Sequence, residues 1–245
     1  MDRDPPSTKS APGGTRGCGR ELCATLFLRR ILCVAFTLAF WMSWMPSRAF
    51  DSERLLMLAA RQATSAQLQV KALVDAVSTA YSMDDEKRLA LLNTFFNRRI
   101  FFREDAEAWG QVDYWASPLE TLIRGQGDCE DYAIAKYFSL LAAGVDPARL
   151  RLVYVRATLG PPAGPQQAHM VLAYYEDPQA EPLILDNLVP EVLPANRRRD
   201  LVPVFSFNAQ GLWQGTNGAG AGDPLARLSR WREVVSKARD QGFLK

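Results

Sequence analysis

Apolar residues in the first half of the chain recur at steps of three to four positions, a spacing that predicts helices. The first predicted helix covers residues 51–80. The second covers 84–98, with acids in its first turn and arginines in its last, as the helix dipole favours. The aromatic-rich segment 93–102 that overlaps it is expected to pack in the core, beneath a later helix.

Two further helices are predicted on either side of a glycine-rich turn. Residues 117–120 form a capping box with proline at the first helical position, so a short helix should follow and end at Gly125. The next helix should cover 128–143 and end at Gly144.

After this point the apolar pattern changes to the alternating or continuous runs of strands, which are predicted at 150–157, 169–175, 183–186 and 202–207. Pro203 places the last of them at a sheet edge, and the Pro/Gly-rich segment 160–167 is predicted to be a loop. Helices followed by an antiparallel sheet define an α+β fold.

The C-terminal part has a different pattern. Residues 215–222 are glycine-rich and predict a flexible break. Residues 223–240 have apolar positions on one side, which predicts an amphipathic helix that packs back on the domain rather than offering a face to a partner. The expected organisation is therefore a leader over 1–49, a domain over 50–214, and the break and helix over 215–245.

The leader has the pattern of an export signal. Arg29 and Arg30 precede an apolar run over 31–45, and small residues stand at the positions that a signal peptidase reads before Ala49. The run is shorter than the roughly 20 residues of a membrane-spanning helix. Cleavage after Ala49 and a periplasmic location are the expectation, and an uncleaved anchor is the alternative.

Charge is unevenly distributed along the chain. Of 29 basic and 27 acidic residues, the leader holds seven and three, so the remainder has 22 and 24 and a net charge of −2. The body of the protein therefore has no basic excess that would favour nucleic-acid binding.

Cleavage would also leave a single cysteine, because Cys18, Cys23 and Cys33 all lie in the leader. Cys129 would then have no disulfide partner and would be either a buried structural cysteine or a reactive thiol. It lies in the first turn of the helix predicted over 128–143, where unpaired N–H groups and the helix dipole favour thiolate. Gly125 and Gly127 allow the sharp turn that keeps the sulfur accessible.

Two other residues complete a possible catalytic set. His169, the one histidine of the chain, opens a predicted strand, and Asp186 ends the next. Adjacent antiparallel strands would place the carboxylate beside the imidazole, as in a Cys-His-Asp triad. Taken singly, a histidine of this kind is more often a satisfied core residue, and an aspartate there is often a turn former.

Acidic residues crowd the candidate nucleophile. Asp128, Glu130 and Asp131 lie within two positions of Cys129 and would oppose thiolate formation. Asp128 as an N-cap and Asp131 as a dipole partner have structural explanations, but Glu130 has none. A bound hard cation would neutralise the cluster, and in an exported protein oxygen ligands indicate calcium.

These segments resemble the bacterial transglutaminase-like cysteine proteinases over roughly residues 50–213. The resemblance is carried by residues 93–97, 109–115, 127–137, 168–175 and 185–188, which include the sequences around Cys129, His169 and Asp186. It implies a papain/transglutaminase-like core whose nucleophile starts a helix packed on the antiparallel sheet. It also implies a triad of those three residues, and calcium bound by Asp128 and Glu130 with Asp131 as a further ligand.

The resemblance further implies a substrate and a partner. The substrate is the N-terminal region of a large outer-membrane-anchored adhesin, cut at a dialanine site so that the adhesin is released and the biofilm disperses. A LapD-type inner-membrane receptor sequesters such a protease when c-di-GMP is high.

On this interpretation the reaction is acyl transfer to water. The Cys129 N–H and one further donor, with Trp109 or Trp115 as candidates, stabilise the oxyanion. Two alternatives stay open: a transglutaminase in which an amine replaces water, and a periplasmic calcium-binding protein without catalysis. A disulfide oxidoreductase is disfavoured because the cleaved chain has no second thiol.

Overall fold

The computed structural model describes residues 50–160, 164–216 and 220–244. The predicted export signal with its cleavage point and three cysteines lies outside the described residues, as do 161–163 of the predicted Pro/Gly loop and 217–219 of the predicted break. The helices are α1 Ser52–Ala59, α2 Thr64–Tyr81, α3 Asp85–Arg99, α4 Asp105–Ala108, α5 Pro118–Arg124, α6 Cys129–Ala142, α7 Pro224–Arg227 and α8 Ser229–Asp240. The strands are β1 Phe101–Phe102, β2 Gln126–Gly127, β3 Leu150–Thr158, β4 Gln166–Tyr174, β5 Leu183–Leu185, β6 Leu193–Pro194, β7 Leu201–Phe207, β8 Leu212–Gln214 and β9 Gly220–Gly222.

The long helix predicted over 51–80 is wrong, because the chain forms α1 and α2 with a turn between them. The apolar pattern does not reveal this break. Ala59 and Ala66 are both buried and lie seven positions apart, which is close to two helical turns, so the period continues across the turn.

Helix α3 confirms the second predicted helix, with Asp84 as its N-cap and arginines in its last turn. Phe95 and Phe96 are buried as expected, but Phe101 is 72% exposed and Phe102 is exposed as well. The core prediction fails for these two because the chain leaves α3 to form β1. This strand pairs in parallel with β2, directly before the start of α6.

The predicted turn into α6 is confirmed. The Ser117 hydroxyl accepts from the Glu120 N–H while the Glu120 carboxylate accepts from the Ser117 N–H, which is the capping box. Gly125 ends α5 with φ of 66°, a left-handed conformation in which glycine is strongly favoured. Helix α6 then begins at Cys129.

The remaining strands form one antiparallel seven-stranded sheet in the order β6-β5-β4-β3-β7-β8-β9, which confirms the α+β prediction. Leu152, Met170 and Leu172 belong to the main core cluster together with residues of α2, α3 and α6. The buried residues of α6 are packed between this sheet and the N-terminal helices.

The prediction that the strand at Pro203 is an edge strand is wrong. Strand β7 lies between β3 and β8. Pro203 is tolerated there because its pairing with Val155 stands beside a register shift, at which β7 has one extra residue, Val204. In addition, β8 pairs with only Phe205–Phe207.

The C-terminal predictions are confirmed in part. Residues 223–240 form two helices instead of one, α7 and α8. The predicted break is not wholly irregular, since Gly220–Gly222 pairs with β8 as a strand. Helix α8 packs back on the domain as predicted, with Trp231, Val234 and Val235 buried. No helix in the described part of the chain is both long and apolar enough to span a bilayer.

Candidate active site

The candidate nucleophile stands at the start of α6, as predicted. Asp128 occupies the N-cap position, but its side chain makes no capping hydrogen bond, so the N-cap explanation for this residue fails. Gly127 is required for a packing reason. A Cβ at this position would lie 2.3 Å from the Asp131 Oδ2 atom, so only glycine lets the Asp131 carboxylate fold back against the turn.

The Cys129 thiol contacts a carboxylate and a strand. Its Sγ atom donates to the Glu130 Oε2 atom at 2.7 Å, and the Met170 N–H donates to the sulfur. Burial and the negative charges of Glu130 and Asp128 raise the pKa of the Cys129 thiol well above its usual value. In this arrangement the cysteine is a thiol, in contrast to the thiolate that the helix dipole alone would favour.

His169 and Asp186 are in direct contact. The His169 Nε2 atom lies 2.8 Å from the Asp186 Oδ1 atom, and both residues are buried. His169 is the fourth residue of β4 rather than its first, because the strand begins earlier than predicted. Asp186 directly follows β5, which pairs with β4.

Asp186 is held by more partners than the sequence suggested. The Leu188 N–H donates to its Oδ1 atom at 3.1 Å, and the Arg198 Nη2 atom donates to its Oδ2 atom at 2.7 Å. Burial raises the pKa of this carboxyl, but the hydrogen bonds and charges of His169 and Arg198 outweigh it and lower the pKa to about 2. Asp186 is therefore ionised at any pH at which the protein would work.

Two basic residues near Asp186 were not predicted. Arg198 is buried, whereas the arginines on either side of it are exposed, and no local pattern separates the three. Lys136 is fully buried on α6, two turns after the cysteine. Burial lowers the pKa of Lys136 to about 7, and the charge of Asp186 opposes this shift.

The structure thus brings two of the three predicted triad residues into contact and places the third beside them. The sulfur accepts a hydrogen bond from Met170, the residue directly after His169. Because the Nε2 atom of His169 faces Asp186, Nδ1 is the ring nitrogen that can accept the thiol proton. The thiol's own hydrogen bond runs to Glu130, so the proton is not yet directed at the imidazole.

The predicted acidic residues do form a cluster, with one addition. Ligand atoms of Asp105, Asp128 and Asp131 lie within 4.8 Å of one another, as do those of Asp128, Cys129 and Glu130. Burial is the largest cause of the raised pKa values of Asp105, Asp128 and Asp131. Negative neighbours add to it, raising the pKa of Asp128 strongly and that of Asp105 in the same direction, while Asp131 rises to about 7.

A single segment of the chain fixes the orientation of two of these carboxylates. Asp131 accepts from the Ala116 N–H at 2.8 Å and from the Trp109 Nε1 atom at 2.9 Å. Asp105 accepts a short hydrogen bond from the Tyr114 N–H. Sequence reasoning missed Asp105 because nothing in its local sequence distinguishes it from the exposed acids nearby.

This cluster fits a hard cation. The Oδ1 atoms of Asp105 and Asp128 are buried and have no hydrogen-bond partner, and no salt bridge to these acids is found in the described residues. Buried carboxylate oxygens with no donor are costly unless a cation binds them. Oxygen ligands of this kind suit calcium.

The predicted tryptophan donors are already engaged. The Trp109 Nε1 atom donates to Asp131, and the Trp115 Nε1 atom donates to Asp113 at 3.1 Å. In this arrangement neither indole N–H is directed at an oxyanion. The N–H of Cys129, at the start of α6, is the remaining candidate donor.

Comparisons with known proteins identify the family and relatives of known fold. The family model for bacterial transglutaminase-like cysteine proteinase matches residues 60–203. The LapG structure from Legionella pneumophila is 34% identical, with a TM-score of 0.67 over 78% of this chain and 99% of that one. The calcium-bound form is 35% identical with a TM-score of 0.67 over 76% and 98%, and the EGTA-treated form is 35% identical with a TM-score of 0.68 over 78% and 99%. No curated protein sequence matches.

Proposed function

The chain belongs to the bacterial transglutaminase-like cysteine proteinases, and from that membership we propose that it is a calcium-dependent periplasmic endopeptidase with Cys129 as nucleophile. The observation that carries the proposal is the buried pair of His169 and Asp186, 2.8 Å apart, beside a cysteine that begins a helix. This is the arrangement of base, orienting carboxylate and nucleophile that thiol acyl transfer requires.

In the proposed mechanism, the Nδ1 atom of His169 takes the proton from Cys129, and the thiolate attacks the scissile carbonyl. The Cys129 N–H stabilises the oxyanion. The imidazolium then protonates the leaving amine, so the peptide bond breaks and a thioester remains. His169 next removes a proton from water, the hydroxide releases the acyl group, and the proton returns to the thiolate.

Asp186 acts throughout as a fixed negative charge. Its hydrogen bond to the Nε2 atom of His169 keeps the imidazole in one orientation and stabilises its charged form. Arg198 holds the carboxylate from the opposite side, so Asp186 cannot rotate away from the imidazole.

Calcium dependence is the second part of the proposal. Asp128, Glu130 and Asp131, together with Asp105, would hold the ion, and its positive charge would favour the thiolate of Cys129. Binding of Glu130 to the ion would withdraw its carboxylate from the thiol, and the Cys129 proton could then pass to His169. The support is the buried, unpartnered carboxylate oxygens, together with LapG having been solved in calcium-bound and EGTA-treated forms.

The proposed substrate is the N-terminal region of a large outer-membrane-anchored adhesin, cleaved at a dialanine site with release of the adhesin and dispersal of the biofilm. The proposed regulator is a LapD-type inner-membrane c-di-GMP receptor that sequesters the enzyme. Both proposals rest on the sequence resemblance.

The test is cleavage of a recombinant adhesin N-terminal fragment by the purified chain, in calcium, in EGTA, and in EGTA with calcium restored. We expect cleavage at the dialanine in the first and third conditions only. The Cys129→Ala variant should be inactive, and a fragment with the dialanine replaced by two arginines should be uncut.

Three results would contradict parts of the proposal. Cleavage by Cys129→Ala would remove it as nucleophile, and full activity in EGTA would remove calcium. Incorporation of a fluorescent primary amine into the fragment, in preference to hydrolysis, would favour the transglutaminase alternative.

A further inference from the structure

We propose that the C-terminal helix α8 positions the cation-binding carboxylates through Arg230, Lys237 and Gln241, which we call the C-terminal clamp. These are positioning residues, since none of them contacts the acidic cluster directly. The inference rests on the calcium dependence proposed above. It concerns a part of the chain beyond residue 203, where the family model ends.

Arg230 and Lys237 lie on α8, and Gln241 is the C-cap residue directly after it. Their spacing of seven and four positions corresponds to nearly whole helical turns, so they share a face. That face meets a short stretch of chain in sequence order. Arg230 contacts Asp113, the Lys237 Nζ atom donates to the Tyr114 hydroxyl at 2.7 Å, and the Gln241 Nε2 atom donates to the Ser117 Oγ atom at 2.8 Å.

The same stretch of chain orients the acidic cluster from its other side. The Tyr114 N–H donates to Asp105, and the Ala116 N–H donates to Asp131. Each clamped residue is therefore within one position of a backbone donor that fixes a carboxylate. A shift of this stretch would move both donors, and Asp105 and Asp131 would lose their mutual orientation.

The backbone conformation of Asp113 shows that segment 113–117 is constrained. Its φ of 57° lies in the left-handed region and is the one positive φ found among described residues other than glycine. Arg230 contacts Asp113 twice. Its Nε atom donates to the backbone carbonyl, and its Nη2 atom lies 3.0 Å from the carboxylate. Trp115 donates to the other carboxylate oxygen. A conformation of this kind persists only where its surroundings enforce it.

Folding stability does not explain the contact between Arg230 and Asp113. The apolar residues of α8, Trp231, Val234 and Val235, already anchor the helix in the core. The Arg230 and Asp113 side chains are 45% and 51% exposed, and ion pairs so exposed to solvent contribute little to stability. The contribution we infer is to the geometry of the cation site.

The test is calcium binding to the full chain by isothermal titration calorimetry, with melting temperatures measured in EGTA. The double variant Arg230→Ala/Lys237→Met should weaken calcium binding by about 10-fold, the lower end of what loss of outer-shell partners causes. Its melting temperature in EGTA should match that of the control Arg239→Ala, which removes an exposed charge from the same helix. A calcium Kd equal to that of the control would overturn the inference.

Two further outcomes also decide the matter. If the melting temperature of the double variant in EGTA is well below that of the control, the double variant is destabilised. The calcium titration is then carried out on the milder variant Gln241→Ala. This variant loses one hydrogen bond to Ser117, and a Kd unchanged from the control would overturn the inference whereas a weaker one would support it. If the wild-type chain binds no calcium, the proposed calcium dependence fails, and the inference fails with it.

Discussion

Buried carboxylates lie at two places around Cys129 and His169, the Asp186 carboxylate and the acidic cluster, and they are stabilised in opposite ways. Asp186 is surrounded by donors from the chain itself, namely His169, the Leu188 N–H and Arg198. Its pKa is lowered to about 2 although burial opposes this. The cluster beside Cys129 has several carboxylates, two unpartnered oxygens and raised pKa values.

This contrast indicates which part of the site is complete within the polypeptide. Around Asp186 the chain itself supplies the positive charge, so this carboxylate can orient the imidazole with or without calcium. The Cys129 side has excess negative charge, which disfavours the thiolate and engages the thiol proton with Glu130. The two sides should therefore respond differently to mutation, to pH and to chelation.

The largest expected effect is on the complete side. Asp186→Asn should lower kcat by about 10⁴-fold, because an amide presents the wrong partner to the Nε2 atom of His169 and favours the wrong tautomer. Calcium affinity should stay unchanged, since Asp186 lies outside the acidic cluster. Steady-state cleavage and calorimetry check this, with the exposed turn residue Asp177→Asn as control. A drop in calcium affinity equal to the drop in rate would mean that the two sides are one unit.

Arg198→Met should lower the free energy of unfolding, because it removes the positive charge that compensates Asp186. The change leaves the buried Asp186 carboxylate without its arginine, and breaking a buried pair costs about 3 kcal/mol of unfolding free energy. Urea denaturation in EGTA measures it. Arg197→Met and Arg199→Met, which remove exposed charges from the two neighbouring positions, are matched controls. Equal urea midpoints for all three variants would show that Asp186 does not depend on Arg198.

A smaller effect should appear in the pH dependence of the chelated protein. Asp131 has a folded-state pKa of about 7 and an unfolded-state pKa near 4, so the folded state binds more protons between these values. Measured relative to Asp131→Asn, the free energy of unfolding should accordingly rise by about 2 kcal/mol as the pH falls from about 7.5 to about 5, since this difference isolates the Asp131 carboxyl. Denaturation in EGTA at several pH values tests this.

Calcium should remove or reverse that slope, because the ion favours the charged carboxylates and their protonation then releases it. Asp131→Asn should lose this contribution to the slope in EGTA, since the variant lacks the Asp131 carboxyl. A wild-type slope of the same size in calcium and in EGTA would contradict the contrast between the two sides.

Local features of the fold were predictable from sequence because short-range chemistry determines them. The capping box at Ser117 and the left-handed Gly125 follow from the residues themselves. The turn between α1 and α2 could not be predicted, since the apolar period continues through it. Strand β7 was misplaced because Pro203 suggests an edge, whereas the register shift that accommodates it arises from pairing with β3.

The candidate site shows the same division. Cys129, His169 and Asp186 stand out because their residue types are rare or lie at element ends. Arg198 and Asp105 do not, because each stands among similar charged residues, and only tertiary packing buries one and leaves its neighbours exposed. Charge compensation depends on which residues meet in the folded protein. The sequence therefore predicted the excess of acidic residues near Cys129, but not which charged residues are buried with the carboxylates.

The most direct test of the account is the pH dependence of iodoacetamide alkylation at Cys129, read by peptide mass spectrometry in calcium and in EGTA over roughly pH 6 to 10. We predict that calcium shifts the alkylation profile to lower pH, because it neutralises the carboxylates that raise the pKa of the Cys129 thiol. Profiles that coincide in calcium and in EGTA would show that the acidic cluster does not control the nucleophile, and would contradict the account.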